Sequence, residues 1–169
     1  MTPASPLHRR RFFATLAGGL GLPALLQPSL ALAKDSRLPT PASLPQAARA
    51  AAAQGEPLLL LVSLPGCPYC ELVRRNYLLP MRQQQGLHAW QLSLSDRGSA
   101  LTGFDGNPTS PAAQISAWQA GFTPTLLFLG PQGQELAERL VGVAVPDFYG
   151  AYLQDRLVSA RQAFSVRPV

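Results

Sequence analysis

Apolar residues along this chain gather into short runs separated by polar stretches rich in proline and glycine. Leu58 to Leu64 is too short for a typical helix and suits a strand buried on both faces. Ahead of it, Ser43-Leu44-Pro45-Gln46 reads as a helix start. Ser43 serves as the cap, Gln46 stands at the capping-box position, and Pro45 falls where an amide would have no partner anyway. Alanine-rich residues carry that helix to Gln54, and Gly55 ends it. A second helix is predicted to open at Cys67, with Leu72, Val73, Asn76, Tyr77 and Met81 at helical spacing and Pro80 ending or kinking it near Leu79. Trp90, Leu92 and Leu94 alternate with Gln91, Ser93 and Ser95, as in a half-buried strand. Asp96 to Thr109 is polar and reads as a long loop, either a solvated insertion or a lid over substrate. Ser110-Pro111 starts a third helix that turns Ile115 and Trp118 inward. Pro124 to Leu129, the turn Gly130-Pro131-Gln132-Gly133 and Gln134 to Val141 predict a hairpin. A last helix begins at Asp147, with Tyr149, Leu153, Leu157, Ala160 and Phe164 along one face. This order implies an α/β fold, a central mixed sheet of four strands with helices on both faces.

A chain of 169 residues is long enough for one domain with a substantial core. Its formal charge of +5 is unevenly placed. Arg9, Arg10 and Arg11 are three of the fourteen basic residues, leaving eleven against nine acidic ones from Lys34 onward. No basic stripe remains there, and the charge gives no support to nucleic-acid binding. Residues 1–33 have the build of a secretory signal: a short positive start, an uncharged and mostly apolar stretch from Phe12, and Ala31-Leu32-Ala33 before a cut at Lys34. Arg9-Arg10-Arg11-Phe12-Phe13 resembles the twin-arginine export signal. The competing reading is an uncleaved membrane anchor, although Pro23, Gln27 and Pro28 interrupt the stretch. Residues 34–42 read as a linker and 43–165 as the folded domain. Export implies the periplasm, an oxidising compartment in which a dithiol stays reduced only through a partner.

The chain has two cysteines, Cys67 and Cys70, in Gly66-Cys67-Pro68-Tyr69-Cys70-Glu71. Disulfide exchange requires a thiolate, and an ordinary cysteine with a pKa of about 8.5 is mostly protonated at neutral pH. A helix N-terminus stabilises the anion through its unpaired amides and dipole. Cys67 stands there and is the expected nucleophile. Cys70, one turn further in, is the expected resolving cysteine, and Pro68 and Tyr69 set the loop's geometry. A purely structural disulfide closing so short a ring would contribute only about 2 kcal/mol. A metal site is the other alternative, with Cys67, Cys70 and His88 as ligands suited to Cu(I). Haem attachment requires histidine where Glu71 stands.

Taken with Gly121-Phe122-Thr123-Pro124-Thr125-Leu126-Leu127-Phe128-Leu129, Gly133 and Gly142, this motif resembles the thioredoxin-like superfamily, over about Leu44 to Phe164. The Cys-Pro-Tyr-Cys tetrapeptide is similar to that of glutaredoxins, while the order of elements is closer to the thioredoxin-like thiol reductases of the periplasm. The resemblance implies a thioredoxin-like fold and a cis Thr123–Pro124 bond. Such a bond leaves Thr123 to offer its N–H and C=O to an extended substrate strand beside Cys67. The chain departs from the family in two places. Leu61 stands where thioredoxin has a buried aspartate, so proton transfer from Cys70 falls to water or Glu71. Gly66 replaces the tryptophan that typically precedes the first cysteine. No basic cluster for the carboxylates of glutathione is visible along the sequence.

The expected function is that of a periplasmic thiol–disulfide oxidoreductase, a reductase of disulfides in exported proteins, re-reduced by a thiol donor in the membrane and needing no cofactor. The alternatives are an oxidant that donates its disulfide, a copper-handling module built on the same cysteines, and a fold used purely for protein interaction. Contact with the membrane is expected only through an uncleaved signal. Phe104 and Phe122 are candidates for a client-binding surface or for the core.

Overall fold

The computed structural model describes residues 37–166, with side chains to Phe164. The signal read at 1–33 and the first linker residues, 34–36, lie outside the described residues. The elements in order are α1 (Leu44–Ala52), β1 (Leu58–Ser63), α2 (Pro68–Val73), a π-helical segment (Arg74–Leu78), α3 (Leu79–Gln85) and β2 (Ala89–Ser93). Then come β3 (Leu101–Thr102), β4 (Pro108–Thr109), α4 (Pro111–Ala117), β5 (Thr125–Leu129), β6 (Leu140–Val141), a 3-10 turn (Pro146–Phe148) and α5 (Tyr149–Val166).

The central sheet has four strands in the order β2-β1-β5-β6. β1 runs parallel to β2 and antiparallel to β5, and β5 runs antiparallel to β6. The sheet is therefore mixed, and β1 is an interior strand buried along its whole length. Side chains alternate between its two faces. Leu59 and Leu61 join Val73, Leu78, Met81, Phe128, Tyr149, Leu153 and Leu157 in one apolar cluster. Leu58, Leu60 and Val62 join Leu44, Ala48, Leu92, Ile115 and Leu127 in the other. Helices thus cover both faces: α2, α3 and α5 on one, α1 and α4 on the other. No helix among the described residues is long and apolar enough to cross a membrane.

The helix starts agree with the capping chemistry. Ser43 Oγ accepts from the Gln46 N–H at 3.4 Å, and Ser110 Oγ accepts from the Ala113 N–H at 3.3 Å. Four expectations are corrected. Residues 37–42 do not behave as a free linker: Leu38 is buried in the core, Pro39 C=O accepts from Gln91 N–H, and Ala42 C=O accepts from Thr102 N–H. Pro80 does not end its helix. The preceding segment widens, Leu79 N–H reaches back to Arg74 C=O, and the helix passes the position where proline offers no donor and runs on to Gln85. The polar stretch at 96–109 is not structureless. β3 and β4 form a hairpin that buries Leu101, with Asp105 Oδ1 accepting from Asn107 N–H and Gly106 in the left-handed region. The strand expected from Gln134 to Val141 shrinks to Leu140–Val141 and a single bridge of Glu135 to Leu129. Between those points the chain carries more residues than β5 does. Glu135 pairs with Arg139 and Glu138 with Arg156, so charged side chains take the place of strand alternation.

Candidate functional site

The interior strand β1 ends at Ser63, and the chain turns at once into α2. Cys67 N–H donates to Leu64 C=O across this turn. Gly66 has a φ of 76°, in the left-handed region that favours glycine. A tryptophan here, as the family typically has, would be strained whatever the space around it.

Cys67 is the N-cap of α2, and its sulfur accepts from the Cys70 N–H at 3.1 Å. Pro68 occupies the first helical position, where its missing N–H deprives no acceptor of a bond. Cys67 and Cys70 are joined in a disulfide. Cys67 is partly exposed, whereas Cys70 is fully buried. An incoming thiolate can therefore reach the first sulfur and not the second. Tyr69 projects from the loop at 53 % exposure.

The Thr123–Pro124 peptide is cis. Pro124 is buried at the start of β5, and its C=O accepts from Gly142 N–H at 2.7 Å. Thr123 Oγ1 lies 3.9 Å from Cys67 Sγ, a weak O–H···S contact. Neither the N–H nor the C=O of Thr123 bonds to any described residue, whereas Phe122 C=O is occupied by the Thr125 hydroxyl at 2.8 Å. The loop thus presents a vacant backbone donor and acceptor beside the accessible sulfur. Phe122, 63 % exposed, stands on the same loop. Phe104 does not share that surface. It packs against Trp118 and lies under Gly133, where any Cβ would meet its ring.

Electrostatics near Cys70 differ from the sequence reading. Leu61 is fully buried and supplies no acid. Glu71, the other expected proton acceptor, accepts from Arg74 Nη1 through one oxygen and from Arg75 Nε at 3.1 Å through the other. Its hydrogen bond with Arg74 holds its carboxyl below the ordinary glutamate range, which makes it a weak base. Arg74 is the feature that sequence reasoning missed. It is only 6 % exposed, and its Nε donates to Gln91 Oε1 at 2.9 Å. The signal was an arginine one turn after Cys70 on the helix face that otherwise carries Val73, Leu78 and Met81.

His88 is not placed with the cysteines. It precedes β2 at the end of the sheet where β1 begins, while Cys67 follows the other end. A strand of this length separates them by about 16 Å. Burial first, and Arg82 second, lower the pKa of His88. Among the described residues no group of three or more His, Cys, Asp and Glu side chains is arranged to hold a metal, so a copper site completed by His88 has no geometric basis.

With this geometry in place, the chain can be compared with known proteins. The profile of a thioredoxin-like domain matches residues 44–156, and the chain belongs to that family. No curated protein matches it. Among solved structures, it is similar to the periplasmic thioredoxin SoxS from Paracoccus pantotrophus in its reduced form. Identity is 21 % and the TM-score 0.41, over 62 % of this chain and 99 % of that one. It is similar to a poplar thioredoxin h at 20 % identity and a TM-score of 0.45, over 65 % and 85 % of the two chains. A thioredoxin-fold protein from Helicobacter pylori matches at 19 % identity and a TM-score of 0.41, over 66 % and 83 %. At the level of the family, the protein is a thiol–disulfide oxidoreductase with a Cys67–Cys70 redox pair.

Proposed function

We propose that the protein is an exported disulfide reductase, acting in the periplasm on cysteines of other exported proteins and re-reduced by a thiol donor in the membrane. The observation that carries the reading is the asymmetry of the pair: a partly exposed Cys67 at a helix N-terminus, and a buried Cys70 behind it. In the reduced protein the Cys67 thiolate attacks a client disulfide, forming a mixed disulfide and releasing one client thiolate. The Cys70 thiolate then attacks Cys67 Sγ, releasing the second client thiolate and closing the protein disulfide. The client gains two electrons and the dithiol loses two. Thr123 holds the client backbone beside Cys67 by strand-like pairing, Pro124 fixes that loop, and Pro68 and Tyr69 shape the other side. The export reading rests on residues 1–33, with their arginine-rich start and Ala31-Leu32-Ala33.

The test is an equilibrium redox titration of the purified protein against a thiol–disulfide buffer. A potential near that of thioredoxin, about −270 mV, supports a reductase. One near −120 mV makes it an oxidant that donates its disulfide. A Cys70→Ser variant expressed with its signal is expected to accumulate mixed disulfides with exported proteins, and finding none would reject the client class.

A further inference from the structure

Arg37, Arg74 and Arg75 form no cluster in the sequence that would draw notice, yet the fold sets all three around one cleft of about 440 Å³. Gln91 and Ser93 of β2 line it, and Leu64 and Pro65, the residues leading to Cys67, form its rim. The volume lies in the range of small-ligand sites. The cleft adjoins the redox loop on the side away from the Thr123–Pro124 segment.

Its charge is unbalanced. Arg74 and Arg75 share the one carboxylate of Glu71. Arg74 is nearly buried, and such a charge is unfavourable unless well paired. Its Nε is taken by Gln91 and its Nη1 by Glu71. Its Nη2 donates to no described group, and it is not sealed off from solvent. A held guanidinium with one open nitrogen can donate a charge-assisted hydrogen bond to a carboxylate. Serine and glutamine around it add neutral hydrogen-bonding groups.

We propose that this cleft is a carboxylate-binding subsite that selects thiols and disulfides carrying a carboxylate a short distance from the sulfur. The inference rests on the exchange reaction proposed above and adds a substrate class to it. The reach is consistent. Arg74 follows Cys67 by about 10 Å of helix rise, and helical side chains lean back toward the N-terminus. A carboxylate two residues from a cysteine spans about 7 Å. The chemistry is unchanged: the substrate S–S bond breaks, the mixed disulfide forms at Cys67, and Cys70 displaces the second thiol. The carboxylate remains ionised throughout.

The test uses the reduced full-length protein and two peptide disulfides, the homodimers of acetyl-Cys-Gly-Glu and of acetyl-Cys-Gly-Gln-amide. The cysteine environment is the same in both, and the charge differs. The acidic peptide is expected to be reduced about tenfold faster at low salt, the equivalent of one charge-assisted hydrogen bond. The preference should narrow as salt rises, and the ratio of the two rates should fall toward one in Arg74→Gln and in Arg75→Gln. The Arg75 side chain is 63 % exposed, so its variant keeps the test open if Arg74→Gln fails to fold. Equal rates in the wild type, or a ratio that both variants preserve, would overturn the subsite while leaving the exchange reaction intact. If neither peptide is reduced, the exchange reaction itself fails and the subsite with it.

Discussion

Replacing Leu61 by aspartate restores the acid that this chain lacks, and the structure says what that should do. Leu61 is fully buried, paired across the sheet with Gln91 on one side and Leu126 on the other. Its cluster includes Leu59, Val73, Leu78 and Phe128. Removing the leucine side chain forfeits about 2–5 kcal/mol of packing. The carboxyl that replaces it enters an apolar site, where a polar group without a partner costs a further 1–3 kcal/mol even when neutral. The ionised form is worse, so the acid is expected to stay protonated in the folded protein above its ordinary pKa. The folded state then binds a proton that the unfolded state has lost. Stability should therefore fall as pH rises from about 4, by about 1.4 kcal/mol per unit, until the raised folded pKa is passed. Urea unfolding of Leu61→Asp and Leu61→Asn across pH 4 to 8 measures this, because the asparagine variant shares the packing loss without the titration. Parallel pH profiles for the two variants would refute the reasoning. They would mean that the carboxyl is ionised in place, solvated by water or by the Gln91–Arg74 pair.

Other outcomes follow from single contacts. Leu38→Ala should destabilise the domain by about 2–5 kcal/mol in chemical denaturation, since Leu38 is a core residue and not part of a loose linker. Ser110→Ala removes the cap of α4 and should cost about 1 kcal/mol in the same assay. The Glu71 carboxyl is held below its ordinary value of 4.5, chiefly by its hydrogen bond with Arg74, so its stabilising effect is present above that pH and lost as pH falls through the lowered folded value. Glu71→Gln should flatten that acid limb of a stability–pH curve. Phe122→Ala should raise KM for a protein disulfide several-fold while leaving the rate with a small neutral disulfide little changed, as expected for an exposed side chain that touches only a large client.

The parts of the fold that were legible in the sequence are those where one local rule dominates. The run at 58–64 is apolar without interruption because β1 is covered on both faces, and the helix starts at Ser43 and Ser110 announce themselves through capping chemistry. The cysteines were legible because a helix N-terminus and a two-residue spacing are both local properties. Tertiary contacts decided the rest. Pro80 is tolerated because the turn before it widens, a compensation that no single residue signals. Residues 134–141 carry Glu138 and Arg139, which reach Arg156 and the Trp118 carbonyl outside the stretch, so propensity alone gave too long a strand. Leu38 reads as one apolar residue in a polar stretch, and only the core shows where it goes. The arginine cleft is the clearest case: Arg37 lies ahead of α1 and Arg74 and Arg75 lie in the π-helical segment, and their convergence is a property of the fold.

The direction of electron flow turns on how the loop treats Cys67 as an anion compared with Cys67 as half of a disulfide. In the oxidised form the Cys70 N–H already points at Cys67 Sγ. On reduction the same donor faces a thiolate, and a hydrogen bond to a charged acceptor is roughly twice as strong as a neutral one. The helix N-terminus acts in the same sense. Glu71 would oppose both, but its charge is bound to Arg74 and Arg75. The local field therefore favours the dithiol, and stabilising the dithiol raises the reduction potential. The buried Leu61 contributes nothing to either form through charge. A reductase role therefore requires that the rest of the loop still hold the potential near that of thioredoxin, about −270 mV, and it also requires a supply of electrons. In an oxidising compartment that supply has to come from a dedicated donor, which gives the proposed membrane partner a thermodynamic reason to exist.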